Sequence, residues 1–164
     1  MIYYRYFDSP IGKILLTSDR DSLTGLYMET YEVDSIKLQQ WTQDNNAFPF
    51  PKVIEQLTAY FEGKLTEFDL PILMLGTKFQ QQVWQELTKI PYGKTISYKE
   101  LAVRIGNIKA VRAVGLANGR NPISIIVPCH RVIGANGSLT GYSGGLPRKK
   151  ALLDLENTRQ KALW

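Results

Sequence analysis

The sequence predicts an α+β protein: a small N-terminal domain of antiparallel strands plus a helix, followed by a mainly helical C-terminal domain. Strand and turn signals dominate residues 1–75, whereas helix start signals recur after a boundary at Leu75-Gly76. The charge balance changes at the same place. Residues 1–75 contain 6 Lys/Arg and 11 Asp/Glu, while residues 76–164 contain 14 Lys/Arg and 4 Asp/Glu. We therefore expect a support domain over 1–75 and a functional, basic domain over 76–164.

Length and composition define the broad class. The 164 residues are 44% hydrophobic and 21% charged, as in an ordinary globular protein with one good core or two small ones. The N-terminus lacks the apolar run of a signal peptide, and no stretch approaches the roughly 20 apolar residues of a membrane span. The single cysteine excludes an intramolecular disulfide. We expect a cytoplasmic monomer without membrane contact.

The first half alternates short strands with turns. Strands are predicted over Ile2–Phe7, Lys13–Thr17 and Leu23–Met28, because polar, Gly- and Pro-containing segments separate these apolar runs. A polar, loose stretch is expected around Gln43–Ala47. This order of elements predicts a small antiparallel sheet.

One helix is expected in the first half. It begins at Pro51, a residue favoured in the first helical turn, and ends at Gly63. Its apolar residues repeat at helical spacing: Val53, Ile54, Leu57, Tyr60 and Phe61. No combination of residues in this half carries recognisable chemistry, so we interpret it as support.

Two capping boxes mark helix starts in the second half. The first consists of Thr77 and Gln80, and the second of Ser97 and Glu100. The first helix has an apolar stripe: Phe79, Val83, Trp84 and Leu87. The second helix is short and ends at Gly106. The basic half therefore begins with at least two helices.

A further short helix follows, capped by Asn107, running through Ala117 and ending near Gly119. Two short helices joined by a turn fit a helix-turn-helix, and any helical hairpin is the alternative. Small residues surround Arg112 in this helix: Ala110, Val111, Ala113, Val114, Gly115 and Ala117. Such a surface lets a backbone approach a narrow minor groove, whereas tight helix packing is the competing explanation. The basic charge is likewise consistent with a polyanion partner or with a solvated face.

The last elements surround a short motif. The apolar run Ile123–Val127 predicts a buried strand that leads directly into Pro128. A glycine-rich loop over Gly134–Gly145 follows. The last helix is predicted over Lys149–Asn157. Pro147, just before it, is of the residue type favoured at the first position of a helix.

The motif contains the only cysteine and the only histidine of the chain, Cys129 and His130. With one of each, there are too few soft ligands for a zinc site. A lone cysteine is then either a buried core residue without a chemical role or a nucleophile, and the core residue is the commoner case. The neighbours favour the nucleophile, because Pro128 restricts the backbone and His130 accepts a proton near neutral pH.

Taken together, these motifs closely resemble the O6-alkylguanine-DNA alkyltransferase family. The resemblance is carried by the run Pro128-Cys129-His130-Arg131-Val132 after Asn121-Pro122, and by the segments Ser97-Tyr98, Arg112-Ala113-Val114-Gly115 and Tyr142-Ser143-Gly144-Gly145. It is strong from about Phe79 to Glu156 and weak before that. The family binds duplex DNA in the minor groove through a helix-turn-helix, flips out an alkylated guanine and transfers the alkyl group to its own cysteine.

The resemblance implies a role for each reacting group. Cys129 would accept the alkyl group, and His130 would act as base through a bridging water. Glu156 would orient that histidine and balance its charge. Tyr98 would hydrogen-bond the flipped guanine and assist the leaving group. Asn121 would connect the helix-turn-helix to the active-site strand.

The resemblance also implies a DNA-binding set and a pocket. Arg112 would fill the space that the flipped base leaves in the stack. Further DNA-binding positions are Ser97, Ala113, Gly115 and Arg120. The alkyl pocket would be lined by Pro128, Tyr142 and Ser143, with Ser143 near the guanine O6. The partner is double-stranded DNA containing O6-alkylguanine, read with little sequence specificity.

Alkyl transfer to a cysteine requires a base that can remove the thiol proton. A cysteine with a pKa of about 8.5 is mostly protonated at neutral pH, so a His–Glu pair is needed to remove its proton. On an extended segment, Cys129 and His130 would point to opposite faces, which favours a water between them. Asp154 is a rival to Glu156 but faces elsewhere on a helix.

Some family members carry a structural zinc in the N-terminal domain. Residues 1–75 contain no Cys or His, so we expect neither that metal nor a cofactor. A transcriptional role is not expected either, because the zinc-bearing domain of the regulatory members has no counterpart in this sequence. The sister class that lacks the acceptor cysteine does not fit Cys129.

Two other function classes remain open from the residues alone. A Cys-His hydrolase would turn over repeatedly on a small acyl substrate and would not need a basic C-terminal half. A helix-turn-helix regulator would bind DNA with an inert cysteine.

Overall fold

The computed structural model describes residues 1–28, 35–142 and 144–161. The chain divides into two compact units, residues 1–74 and 75–164. The first contains a sheet with helices, and the second is mainly helical. The predicted α+β fold class is confirmed.

The first unit is built on a four-stranded sheet. Its strands are β1 (Tyr3–Ser9), β2 (Gly12–Ser18), β3 (Leu23–Met28) and β4 (Thr42–Gln43), in the order β3-β2-β1-β4. The three long strands are antiparallel and match the predicted ones, whereas β4 runs parallel to β1. The expected loose stretch at Gln43 is therefore partly wrong. Edge pairing decides this, since Thr42 N–H donates to Ile2 O at 2.9 Å and Asp44 N–H to Tyr4 O at 3.0 Å.

Two helices accompany this sheet, α1 (Ser35–Gln40) and α2 (Phe50–Phe61). The predicted α2 is confirmed, one residue longer at its start. Its buried side chains are Phe50, Val53, Leu57 and Tyr60. Ile54 and Phe61, predicted on the same face, are only half-buried. Gly63 ends the helix with a φ of +74°, which favours glycine.

The second unit begins with three helices, α3 (Lys78–Leu87), α4 (Tyr98–Arg104) and α5 (Val111–Gly119). The capping box at Thr77 is complete. At Ser97 only half of it forms: the hydroxyl accepts from Glu100 N–H at 3.0 Å, but the Glu100 carboxylate binds Arg104 at 3.1 Å. Each short helix nevertheless begins where the sequence predicted or within a few residues of it.

The helix pair α4 and α5 packs as expected for a helix-turn-helix. Gly106, with a φ of +81°, makes the turn between them. A 3-10 turn over Ile108–Ala110 precedes α5. Asn107 stands before this turn, but its side chain makes no capping hydrogen bond. Behind the pair, the Trp84 indole donates to Ala117 O at 2.9 Å and fixes α5 to α3.

The segment Ile123–Val127 is a tight turn, so the predicted buried strand is wrong. Val127 N–H donates to Ile123 O at 3.0 Å, and Ile125 has a φ of +72°. The Asn121 side chain stabilises this shape by accepting from Ile123 N–H at 3.0 Å and donating to Val127 O at 2.7 Å. A buried turn and a buried strand share the same apolar composition, so periodicity does not separate them.

A short parallel pair and a long helix complete the unit. The strands are β5 (Ile96–Ser97) and β6 (Val132–Ile133), and the helix is α6 (Leu146–Lys161). The helix begins three residues before the predicted Lys149, so that Pro147 is its second residue. Among the described residues, none of the helices has both the length and the apolar character needed to cross a bilayer.

Candidate active site

Cys129 lies at the start of a 3-10 turn, Cys129–Arg131, and is only 2% exposed. The expected extended segment is therefore wrong. Pro128 is buried and its carbonyl accepts from Arg131 N–H at 3.1 Å, which closes the turn. Asn118 on α5 donates its side-chain amide to Cys129 O at 3.3 Å. The backbone of the thiol is thus fixed by its own turn and by α5.

His130 and Glu156 form a buried pair next to this thiol. The His130 Nε2 atom lies 2.8 Å from Glu156 Oε2, and both side chains are inaccessible to solvent. Arg131 adds two donors to the same carboxylate, at 2.9 and 3.0 Å, and a third to Ile90 O at 2.7 Å. Asp154 instead pairs with Lys150 at 2.6 Å on the exposed side of α6. Glu156 is therefore the carboxylate that faces the histidine.

The protonation of this pair follows from its surroundings. Burial alone would raise the pKa of Glu156, but the hydrogen bonds from His130 and Arg131 and the charge of Arg131 outweigh it and hold the pKa at about 2. An ionised carboxylate only accepts, so Nε2 carries the proton. Burial lowers the pKa of His130, although Glu156 opposes the shift. The imidazole is then neutral, and its buried Nδ1 has no hydrogen-bond partner among the described residues. Nδ1 is the atom available to accept a proton.

The cysteine itself rests as a thiol. Burial raises the pKa of Cys129, while a hydrogen bond from Asn121 and the charge of Lys149 act in the opposite direction. A base is consequently needed at the moment of reaction, because little thiolate exists beforehand.

Tyr98, the first residue of α4, is half-buried with its ring against Gly115 of α5. Its hydroxyl donates to Thr140 O at 2.8 Å. Burial raises the pKa of Tyr98, so the phenol stays a neutral donor. A Cβ at Gly141 would lie 3.1 Å from that hydroxyl, and Gly141 has a φ of +64°. Glycine at this position keeps the loop close to the tyrosine.

Tyr142 is also buried, and burial raises its pKa well above the ordinary value. Its neighbour Ser143, which the resemblance places in the alkyl pocket, lies outside the described residues. Cys129 interacts electrostatically with both Tyr98 and Tyr142, so the structure brings both predicted tyrosines near the thiol.

The DNA-binding residues suggested by the resemblance divide into two groups. Arg112 and Ala113 are exposed on α5, and Arg120 is exposed directly after its end. Ser97 caps α4, and Gly115 lies against the Tyr98 ring. The first group is available to a partner, while the second has a structural task in this molecule.

Asn121 follows the end of α5, and its side chain binds the segment before Cys129, which is a turn and not the expected strand. Asn118 makes the direct link from α5 to the Cys129 backbone. Sequence reasoning missed Asn118 because a buried asparagine in a helix has no local signature.

Lys149 is a second residue that sequence reasoning missed. It lies in the first turn of α6, yet it is 0% exposed. Burial lowers its pKa to about 8. Residues 148–150 are all cationic and stand at the positive end of the α6 dipole, an unfavourable place for cations. That misplacement was the available signal that one of them has a buried acceptor.

No three His, Cys, Asp or Glu side chains within the described ranges are grouped to hold a metal ion. The site instead offers a buried thiol, a neutral imidazole oriented by a carboxylate, and a tyrosine donor. Those groups can remove a thiol proton and stabilise charge on a leaving group.

Two family models match the chain. The ribonuclease-like domain of 6-O-methylguanine DNA methyltransferase matches residues 2–74, and the DNA binding domain of the same family matches residues 78–158. The methylated-DNA–protein-cysteine methyltransferase of Mycobacterium tuberculosis is 56% identical over 164 residues, covering 99% of this chain and 96% of that protein. Its counterpart of the same name in Methanosarcina acetivorans is 51% identical over 160 residues, covering 96% of this chain and 99% of that protein.

The chain is also similar to solved structures of this family. The crystal structure of Mycobacterium tuberculosis OGT in complex with DNA matches with a TM-score of 0.89 at 54% identity, covering 96% of this chain and 94% of that one. The Mycobacterium tuberculosis O6-methylguanine methyltransferase matches equally well, with a TM-score of 0.89 at 54% identity over 97% of this chain and 94% of that one.

Proposed function

The chain belongs to the 6-O-methylguanine DNA methyltransferase family, and we propose that it repairs duplex DNA by transferring the alkyl group of O6-alkylguanine to its own Cys129. The transfer is irreversible, so each molecule acts once. A relative with the same fold has been crystallised with DNA, which supports DNA as the partner.

The observation that carries the mechanism is the buried His130–Glu156 pair, whose histidine directly follows a thiol that burial keeps protonated. His130 accepts the thiol proton at Nδ1 through a bridging water, while Glu156 holds the other nitrogen. Cys129 and His130 are consecutive residues of one 3-10 turn, and Pro128 stands at the start of that turn, which supports this pairing. A neutral, oriented imidazole is a suitable base for a thiol that burial keeps protonated.

In the transfer step one bond to the alkyl carbon forms while another breaks. The Cys129 sulfur forms a bond to the alkyl carbon as the carbon–O6 bond breaks, and the electron pair of that bond passes to the guanine. Tyr98 donates a hydrogen bond to the purine as this negative charge develops. The proton lost by the thiol ends on the guanine, so the products are an S-alkylcysteine and an unmodified base.

Access to the alkyl carbon requires the base to leave the stack, at a cost of a few kcal/mol. The exposed residues of α5 supply the surface for this step. Arg112 occupies the space left by the base, and Arg120, directly after the end of α5, contributes positive charge. Small residues between them allow the helix to approach the minor groove closely.

The test is transfer of label from duplex DNA carrying radiolabelled O6-methylguanine. We expect label to move to the protein in a one-to-one ratio and stop, with one added methyl group on Cys129 by intact-mass and peptide analysis. Binding without transfer would indicate a DNA-binding regulator, and continued release of methanol would indicate a hydrolase.

A further inference from the structure

The Lys149 ammonium group is buried against two backbone carbonyls from different segments. Its Nζ donates to Val132 O on β6 at 2.6 Å and to Thr140 O in the following loop at 2.7 Å. It also lies 3.5 Å from the Tyr98 hydroxyl oxygen. This lysine therefore joins α6, β6, the loop and the start of α4 at one point.

Thr140 O is shared between two donors. The Tyr98 hydroxyl donates to it at 2.8 Å, and Lys149 donates to it at 2.7 Å. In this arrangement the tyrosine proton is directed at the protein backbone and not at a base. To donate to a guanine, Tyr98 must release Thr140 O.

We propose that Lys149 is a positioning residue for the transfer reaction: it keeps Thr140 O hydrogen-bonded, so that the Tyr98 hydroxyl is free to turn to the guanine. The proposal rests on the proposed function, because it gives Tyr98 a base to bind. Without Lys149, the turn of Tyr98 would leave a carbonyl without a donor, and such orphaned groups are costly.

The ammonium group also limits what the Tyr98 oxygen can do toward Lys149. An ammonium group only donates, so this oxygen can only accept from Lys149, and its own proton is directed at Thr140 O, 2.8 Å away.

The two neighbouring cations do not share this role. Lys150 is exposed and pairs with Asp154 at 2.6 Å, and Arg148 donates to Gly144 O at 3.0 Å. Lys150 has the same charge, stands on the same helix and is one residue away. It is therefore the matched control for Lys149.

The experiment is a double-mutant cycle in single-turnover transfer from O6-methylguanine duplex DNA. The variants are Lys149→Met, Tyr98→Phe, the double variant and Lys150→Met. We expect Lys149→Met to slow the saturated transfer rate by about 10- to 100-fold, the equivalent of one lost buried hydrogen bond. In the Tyr98→Phe background the same change should cost less than about 3-fold, and Lys150→Met should transfer at the wild-type rate.

Equal losses in both backgrounds would overturn the proposal, because a residue that only supports the pocket acts independently of the Tyr98 hydroxyl. So would a wild-type rate in Lys149→Met or in Tyr98→Phe. Lys149→Gln retains an N–H donor group without the charge and serves if the methionine variant does not fold. Its loss should be smaller and should again disappear in the Tyr98→Phe background. Failure of the wild-type protein to transfer label would instead refute the proposed function itself.

Discussion

His130 directs its Nε2 proton at Glu156 across 2.8 Å while its Nδ1 remains buried and without a hydrogen-bond partner in the described part of the chain. One side of the imidazole is thus committed to orientation and the other is left for proton transfer.

Replacing the acceptor should separate binding from chemistry. Cys129→Ser and Cys129→Ala should bind duplex DNA with an affinity within about 3-fold of the wild-type protein, because the thiol is buried and not on the exposed face of α5. Neither should accept label from O6-methylguanine DNA. Gel-shift titration and label transfer measure the two properties, and transfer by Cys129→Ser would contradict the mechanism.

Arg112→Ala should affect the flipping step. Repair of O6-methylguanine in duplex DNA should slow by at least about 10-fold, whereas reaction with the free base O6-benzylguanine should change by less than about 2-fold, because a free base needs no flipping. Rates on both substrates decide the matter. Equal losses would place Arg112 in the chemistry or the fold. Arg120→Ala, at an exposed position directly after α5, is the control for lost charge alone.

DNA affinity should depend steeply on salt and little on sequence. Phosphate neutralisation by the basic unit releases counterions, so the logarithm of the binding constant should fall linearly with the logarithm of salt concentration. Fluorescence anisotropy with two unrelated duplexes between low and physiological salt gives both slopes. A flat response, or strong preference for one duplex, would favour a sequence-specific regulator.

Glu156→Gln should lower both the rate and the stability. The neutral amide cannot balance the charge that His130 gains when it accepts the thiol proton, so transfer should slow at pH 7. The rate should recover partly at higher pH, as hydroxide generates thiolate. Arg131 also loses its buried carboxylate, which should cost about 3–5 kcal/mol.

The sign of the acid dependence follows from the lowered pKa of Glu156. The carboxylate has a pKa of about 2 in the folded protein against 4.5 as the ordinary value, so its contribution is present above pH 4.5 and lost as the pH falls toward 2. Thermal melts across this range should show a smaller acid loss in Glu156→Gln than in the wild type. Asp154→Asn, which removes an exposed carboxylate two residues away, should retain the wild-type acid loss.

Elements defined by local signals could be predicted from the sequence. The three strands of the first unit are separated by turn residues, and the cap at Thr77 is set by a side chain three residues from its partner. The segment before Cys129 could not be predicted in this way. Its shape depends on the Asn121 side chain and on burial from all sides, which override the extended preference of Ile and Val.

The residues of the candidate site likewise divide into those that the sequence could predict and those that depend on the fold. Cys129 and His130 stand next to each other in the chain, and Glu156 was recognisable by resemblance. Lys149, Asn118 and Arg131 act through backbone carbonyls or carboxylates 9 to 41 residues away. Such contacts exist only once the chain has folded, and nothing in the local sequence around them announces the partner.

The turn before the nucleophile has one further consequence. Ile125 is β-branched and adopts a left-handed backbone, a conformation that costs about 1–3 kcal/mol and persists only where the surroundings impose it. A peptide of this segment would relax to an extended chain, and its His130 would lack Glu156, the partner 26 residues away that orients the base. Reactivity of Cys129 toward an alkylguanine is therefore a property of the intact fold alone. The fraction of molecules that a small alkylguanine reagent can label should report, in a purified sample or inside a cell, how much of this protein is folded.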